Sequence, residues 1–242
     1  MLENPPIGLM LVPMPLTAGV IVGILAGLLT GSWIVAIVAL VVAALVAAAL
    51  AYLLAEKVAL RLLGARPLLE GGSTMLRNQL EELCARAGMS EPDLYTVGPG
   101  AAAIASVGRG QSNALIVTDG LSEDLTVVEL ESAVARELAR GRSGATTVDT
   151  LAVPFITMPF GLLGGLGRKL LHWVRGGDHD AKTDLEGIAI TRYPPGMSAA
   201  LSKMSRPKSP ASVHHLWAVG DSDTGDIGRF GLAERLELLQ EL

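Results

Sequence analysis

The stretch "SEDLTVVELESAVARELARGRSG", Ser122 to Gly144, reads as the longest helix in the polar part of the chain. Leu130, Val134 and Leu138 recur at four-residue spacing with Glu137 on the same side, the period of an amphipathic helix. Ser122 or Thr126 caps its start, and Glu129, three residues after Thr126, completes a capping-box pattern. Gly141 to Gly144 stop it. Within it, Arg136-Glu137-Leu138-Ala139-Arg140 sets two arginines at i and i+4, hence on one helical face. Taken alone, Arg-Glu-x-x-Arg is an ordinary charged turn, with Glu137 and Arg140 forming a common i, i+3 pair. Its neighbours decide whether it is more.

Upstream, "TMLRNQLEELCARAG" puts Leu76, Leu80, Leu83 and Ala87 on one helical face, and Gly88 ends the helix. Two short strands follow, Leu94 to Val97 and Ala114 to Val117, rich in β-branched and apolar residues. Between them "GPGAAAIASVGRGQSN" is a loop and an edge strand ending at Gly108-Arg109-Gly110. Asn113 to Thr118 lies near that edge, where a peptide could add as a further strand.

Further toward the N-terminus, Asn4 to Ala55 contains no Asp, Glu, Lys or Arg. A bilayer-spanning helix needs about 20 residues, and the run breaks at "TGSW", Thr30 to Trp33. This predicts two spans, about Pro15–Leu29 and Trp33–Leu54. Lys57, Arg61 and Arg66 follow the second, against Glu3 and the amine at the start. The positive-inside rule then places the rest of the chain in the cytoplasm. Gly19, Gly23 and Gly27 recur every four residues, which suits close helix approach, either within the hairpin or to another molecule.

Downstream of Gly144, "VDTLAVPFITMPFGLLGGLGRKLLHWV" is apolar but broken by Pro154, Pro159 and several glycines. Residues 148–170 are expected to be membrane-associated, embedded or interfacial. "DHDAKTDLEGIAITRYPPGMSAALSKM" supplies two helices separated by a Pro-Pro-Gly turn, and Leu232, Leu236 and Leu239 mark a last amphipathic helix. "GDSDTGDIG", Gly220 to Gly228, lacks the ligand spacing and terminal glutamate of a calcium loop and reads as a solvated loop.

The totals narrow the function classes. A net charge of −5, with no basic stripe, excludes a typical nucleic-acid binder. A single cysteine, Cys84, excludes an internal disulfide framework. No Gly-x-Ser-x-Gly elbow is present, against a serine hydrolase. The apolar spans carry no ionisable residue that would mark an ion path.

In order, these pieces resemble the HtpX-type membrane zinc metallopeptidases. The resemblance is carried by "KVALRLLGARPL", "ASVGRGQSNALIVTDGLSEDLTVVELESAVARELARG", "HDAKTDLEGIAITRYPPGMSAALSKM" and "SPASVHHLWAV". It implies an α+β, mostly α fold. An N-terminal transmembrane helical hairpin (1–56) would precede a zincin-like cytoplasmic domain with a small β-sheet (57–242), in the cell (inner) membrane. It also implies that the two zinc histidines fall on Arg136 and Arg140, the catalytic glutamate on Glu137, the third ligand on Asp180, and a nearby aspartate on Asp184. The family's substrate-strand asparagine falls near Ala103, and its His-Pro-Pro element is reduced to "GRFGLAER".

That substitution has a direct chemical meaning. Zinc takes lone-pair donors such as imidazole, whereas a guanidinium is a permanent cation that only donates. Glu137 is then vestigial, because no metal-bound water stands beside it. The four histidines, His172, His179, His214 and His215, show no helical metal spacing. The sequence therefore predicts no metal and no cofactor. Arg136 and Arg140 are expected to pair with Glu137, Asp180 or Asp184. The expected function is a catalytically inactive, membrane-anchored scaffold or accessory subunit. Its partners would be the lipid bilayer and other integral membrane proteins, without nucleic acid. The alternative is an active zinc protease with a non-standard metal site.

Overall fold

The computed structural model describes residues 13–69, 73–110, 112–161, 166–176, 178–220 and 231–241. Most of "GDSDTGDIG" and part of "GRFGLAER" lie outside them.

Two apolar helices, α1 (Pro13–Thr30) and α2 (Trp33–Leu63), form a hairpin around Gly31 and Ser32. The turn falls in the "TGSW" break, and Gly31 takes the left-handed conformation (φ 65°) that the reversal requires. The glycine stripe is used within this hairpin. A Cβ on Gly19 would lie 2.6 Å from the Leu40 carbonyl, one on Gly23 2.8 Å from the Leu40 Cβ, and one on Gly27 3.0 Å from the Ala36 Cβ. Close approach gains dispersion contacts along the whole interface. The outward side chains remain open, with Leu28, Leu29 and Trp33 each more than 70% exposed. An apolar surface of that extent needs a non-aqueous neighbour.

Among the described residues, only α2 is both long and apolar enough to cross a membrane. Its 22 residues from Trp33 to Leu54 span about 33 Å, against about 30 Å of hydrocarbon. The helix does not stop at Leu54, as the loss of hydropathy suggests, but runs on to Leu63 and ends at left-handed Gly64. Ala51, Ala55, Ala59 and Leu63, one stripe at four-residue spacing, are buried against the rest of the chain. Packing thus extends the helix through Glu56, Lys57 and Arg61, and the expected division at 56/57 falls inside it.

The remainder is mostly helical with one small mixed sheet. Strands β1 (Arg66–Pro67), β2 (Asp93–Thr96), β3 (Ile104–Arg109) and β4 (Ser112–Val117) lie in the order β1-β2-β4-β3. β4 runs parallel to β2 and antiparallel to β3. Alternation along the strands divides the core. Ile104, Leu115 and Val117 pack under α3 (Thr74–Ala87) and α5 (Val127–Arg142). Ala105, Val107 and Ile116 face α2 and Trp217 on the other side. The short helix α4 (Gly120–Asp124) separates β4 from α5, so Thr126 rather than Ser122 caps α5, and its backbone N–H donates to Glu129 at 2.8 Å.

After α5 come α6 (Ala145–Ala152), a π-helical turn at Val153–Thr157, α7 (Met158–Gly161) and α8 (Leu166–Arg175). The π turn begins at Val153-Pro154, where proline offers no N–H and the backbone ladder must widen. Residues Asp149 to Thr157 are buried, and Leu151, Ala152, Phe155 and Ile156 pack on Ala51 and Ala55 of α2. Helices α9 (His179–Thr191), α10 (Pro194–Lys203) and α11 (Leu232–Gln240), with a 3-10 turn at Ala211–Leu216, complete the chain.

Candidate functional site

Helix α5 passes beneath β3 and carries Arg136, Glu137 and Arg140 on its buried face, each no more than 2% exposed. Helix α9 crosses it at Gly187, where a Cβ would lie 2.8 Å from the Arg136 Cα. That contact turns the stripe Asp180, Asp184 and Gly187 toward α5. The five charged residues singled out from sequence are therefore brought together.

They do not pair simply. Arg136 Nη1 donates to Glu137 Oε1 at 2.5 Å, and Glu137 Oε2 accepts from Arg140 Nη1 at 3.1 Å. Arg140 Nη2 donates to Asp149 Oδ2 at 2.5 Å, and Asp149 Oδ1 lies 2.7 Å from Arg175 Nε. Arg175 Nη2 donates to Asp180 Oδ1 at 3.3 Å, and Arg136 Nη2 meets the same oxygen at 3.4 Å. The chain of contacts closes on itself as a ring of six side chains with alternating charge: Arg136, Glu137, Arg140, Asp149, Arg175 and Asp180.

Asp184 extends the ring. It accepts from Arg136 Nε at 2.7 Å and from Arg235 of α11 at 2.6 and 2.8 Å. Four arginines and four carboxylates are thus assembled, all at least nine-tenths buried and formally neutral in sum. The ring ties α5 to α6, α8 and α9, and Asp184 adds α11.

Other polar groups complete the cluster. Ser106 of β3 donates to Glu137 Oε2 at 2.5 Å, leaving Thr146 as donor to Ser106 at 3.1 Å. Arg140 also donates to the Leu216 carbonyl at 2.8 Å, and His215 Nε2 lies 2.9 Å from the Asp149 carbonyl. Burial opposes the charge on both Arg136 and Arg140, but the carboxylates outweigh it and both are held more firmly protonated than a free arginine. Burial likewise opposes the charge on Asp149, yet Arg175, Arg140 and His179 keep its carboxyl well below the usual carboxylate range. Burial dominates at His215 and lowers its pKa to about 4, so its imidazole is neutral near pH 7.

Asp149, Arg175, Arg235, Ser106 and His215 escaped the sequence reading. Asp149 did leave a signal, being the sole acid between Leu138 and Gly177. A lone carboxylate in an apolar run must find a cation when it is buried. Arg175 and Arg235 gave none, because only the fold brings α8 and α11 to this point.

The strand edge lies where the sequence places it, but it is not open. Asn113 to Val117 belongs to β4, which is paired on both sides. The edge belongs to β3, and it is covered. Ala105 bridges Trp217, Ala218 N donates to the Ile104 carbonyl at 2.9 Å, and Gly108 N donates to Thr150 Oγ1 at 3.0 Å. Ala103 is tied to Thr118, whose N–H donates to its carbonyl at 3.2 Å. A small crevice beside Glu137 remains, lined by Ser106, Asn113, Leu115 and Gly141 together with Met89 and Pro92.

No family model and no solved structure matches the chain. Curated proteins do. A Protease HtpX homolog of Tropheryma whipplei (strain Twist) is 24% identical over 198 residues, covering 66% of this chain and 68% of that protein. One from Syntrophobacter fumaroxidans is 27% identical over 164 residues, 64% of this chain and 56% of its own length. One from Pelotomaculum thermopropionicum is 33% identical over 102 residues, 42% of this chain and 36% of its own.

Proposed function

We infer that this HtpX-like chain is a membrane-anchored protein that does not hydrolyse peptides and instead serves as a scaffold or accessory subunit for other integral membrane proteins. The observation that carries this reading is the closed ring at Arg136 and Arg140. At the two positions where the resemblance puts zinc ligands, the side chains offer only N–H donors. The nearby carboxylates are already engaged, each by two or more cationic groups. Among the described residues no group of three His, Cys, Asp or Glu is arranged to hold a metal. The residues do not fit a zinc ion. Together Arg136 and Arg140 carry the two positive charges that a zinc ion would, so the carboxylates keep their compensation while the Lewis acid is gone.

The covered β3 edge supports the same reading, since strand addition needs free N–H and C=O groups. The hairpin supplies the anchor. Lys57 and Arg61 after the apolar run favour a cytoplasmic position for the remaining chain.

The relatives' name, Protease HtpX homolog, favours a second reading: a zinc protease with a non-standard metal site. One preparation separates the two. Full-length chain in detergent is expected to contain no stoichiometric zinc and to leave casein intact with or without chelator. One equivalent of zinc with chelator-sensitive cleavage would establish the second reading. Co-purification of untagged membrane proteins with the full chain, compared with a variant whose hairpin face is altered, tests the assembly role.

A further inference from the structure

The base of the polar part of the molecule lies at the level where α2 leaves its apolar run. The last apolar residues of that run are Leu53, Leu54 and Ala55, and the first ionisable one is Glu56. Three elements meet α2 within this turn. Arg109, at the end of β3, lies 4.7 Å over the Tyr52 ring. The π turn packs Phe155 and Ile156 on Ala51 and Ala55, and α8 adds Leu171 and Val174 to the same cluster. Anything that surrounds α2 up to Leu54 therefore abuts these elements.

Apart from half-buried Glu56, the charge exposed on this base is positive. From Leu138 to Gly177 the sole acid is Asp149, and it is buried in the ring. Arg142 and Lys169 are exposed, Arg109 is half-buried, and Lys57 and Arg61 are exposed on α2. Lys57 and Arg61 lie about 3 and 9 Å beyond Ala55 along the helix axis, within a Debye length of a surface at that level. The chain as a whole carries −5, so this concentration of cations is local.

Helix α8 adds an apolar contribution. Leu171, Val174 and Arg175 form its buried side, while Lys169 and Trp173, one turn apart, are exposed on the opposite side. Trp173 is 54% exposed and Met158 of α7 46%. A large exposed tryptophan one turn from a lysine suits the water–headgroup boundary, where an indole buries its ring and keeps its N–H wet.

We propose that the base formed by the β3 end, α7 and α8 is a lipid-binding surface that rests on the bilayer around α2 and selects anionic headgroups. Lys169, Arg142 and Arg109 meet the headgroup phosphates, and Trp173 and Met158 enter the boundary region. This rests on the membrane-anchor reading above and adds to it a lipid class and a residue set. The source of the anionic groups is the bilayer surrounding the hairpin, not a soluble phosphate.

The test uses full-length protein in nanodiscs of phosphatidylcholine, with or without phosphatidylglycerol, containing bromine-labelled acyl chains. In a Cys84→Ala background, which removes the single and buried cysteine, a fluorophore is placed at Trp173→Cys, at Leu45→Cys in the hairpin, or at Val127→Cys. Val127 starts α5, about 22 Å along the helix from Arg142. The label at 45 should be quenched in both lipids and that at 127 in neither. The label at 173 should be quenched several-fold more strongly when phosphatidylglycerol is present, and Lys169→Glu should remove most of that difference. A label at 173 that behaves like the one at 127, or quenching indifferent to phosphatidylglycerol, overturns the proposal while leaving the anchor intact. An unquenched label at 45 overturns the anchor reading itself.

Discussion

Gly187 of α9 lies directly on the backbone of Arg136 in α5, so closely that a Cβ there would stand 2.8 Å from the Arg136 Cα and 3.0 Å from its N. The contact sets how far the two helices can approach, and therefore whether Asp180 and Asp184 reach the Arg136 guanidinium. Gly187→Ala must push the helices apart. Overpacking of this kind costs about 1–3 kcal/mol, and the ring contacts across the interface lengthen with it. Thermal unfolding in detergent should show a clear drop in Tm; an unchanged Tm would mean that the helices are not held at this separation.

Arg140 and Asp149 provide the test of coupling within the ring. Arg140→Met alone leaves Glu137 and Asp149 short of a buried partner, which costs about 3–5 kcal/mol. Asp149→Leu alone strands Arg140 and Arg175. The double variant should recover part of the combined loss, with an interaction energy of about 1–3 kcal/mol. Chemical unfolding of the four proteins measures it. Strict additivity would show that the pair does not act as a unit.

Charge counting yields a metal-dependent prediction. Four arginines balance four carboxylates, so Arg136→His with Arg140→His leaves the cluster two positive charges short and gives it two imidazoles at i and i+4. That variant should be destabilised without metal and regain Tm on adding zinc, whereas the unaltered chain should not respond. Calorimetric zinc titration gives an independent readout. A double variant that is folded but indifferent to zinc would show that Asp180 and the helix geometry cannot complete a coordination shell.

His215 predicts the pH dependence. Its pKa falls from 6.5 to about 4 in the folded chain, chiefly through burial. A histidine depressed in this way takes up its proton in the unfolded state first. Stability contributed by the neutral form is therefore full above pH 6.5 and is lost as pH falls toward 4, with a slope of about 1.4 kcal/mol per pH unit. Asp149, held well below the usual range, loses its contribution only at lower pH, below about 3.9. Unfolding measured between pH 4 and 7 should show the slope, and His215→Gln should flatten it.

Local rules made several elements legible. The hairpin, its break at Gly31, helix α3 to its Gly88 cap, the capping box at Thr126 and the strand periodicity all follow from neighbouring residues. Hydropathy, helical spacing and turn chemistry act over a few positions, and the sequence displays them. The Arg-Glu-x-x-Arg turn and the two aspartates of α9 were also readable as candidates, because their spacing survives in the order of residues.

What only the tertiary structure decided concerns residues far apart in the chain. α2 continues to Leu63 because Ala59 and Leu63 find a core to enter, although hydropathy falls after Ala55. Asp149, Arg175 and Arg235 become members of one cluster because α6, α8 and α11 converge on α5, and nothing local announces it. The β3 edge is closed by Trp217 and Thr150, from segments more than forty residues away. A charge or a strand edge is costly to bury until its partner arrives. The type of each residue therefore states the need, and only the completed fold supplies the partner.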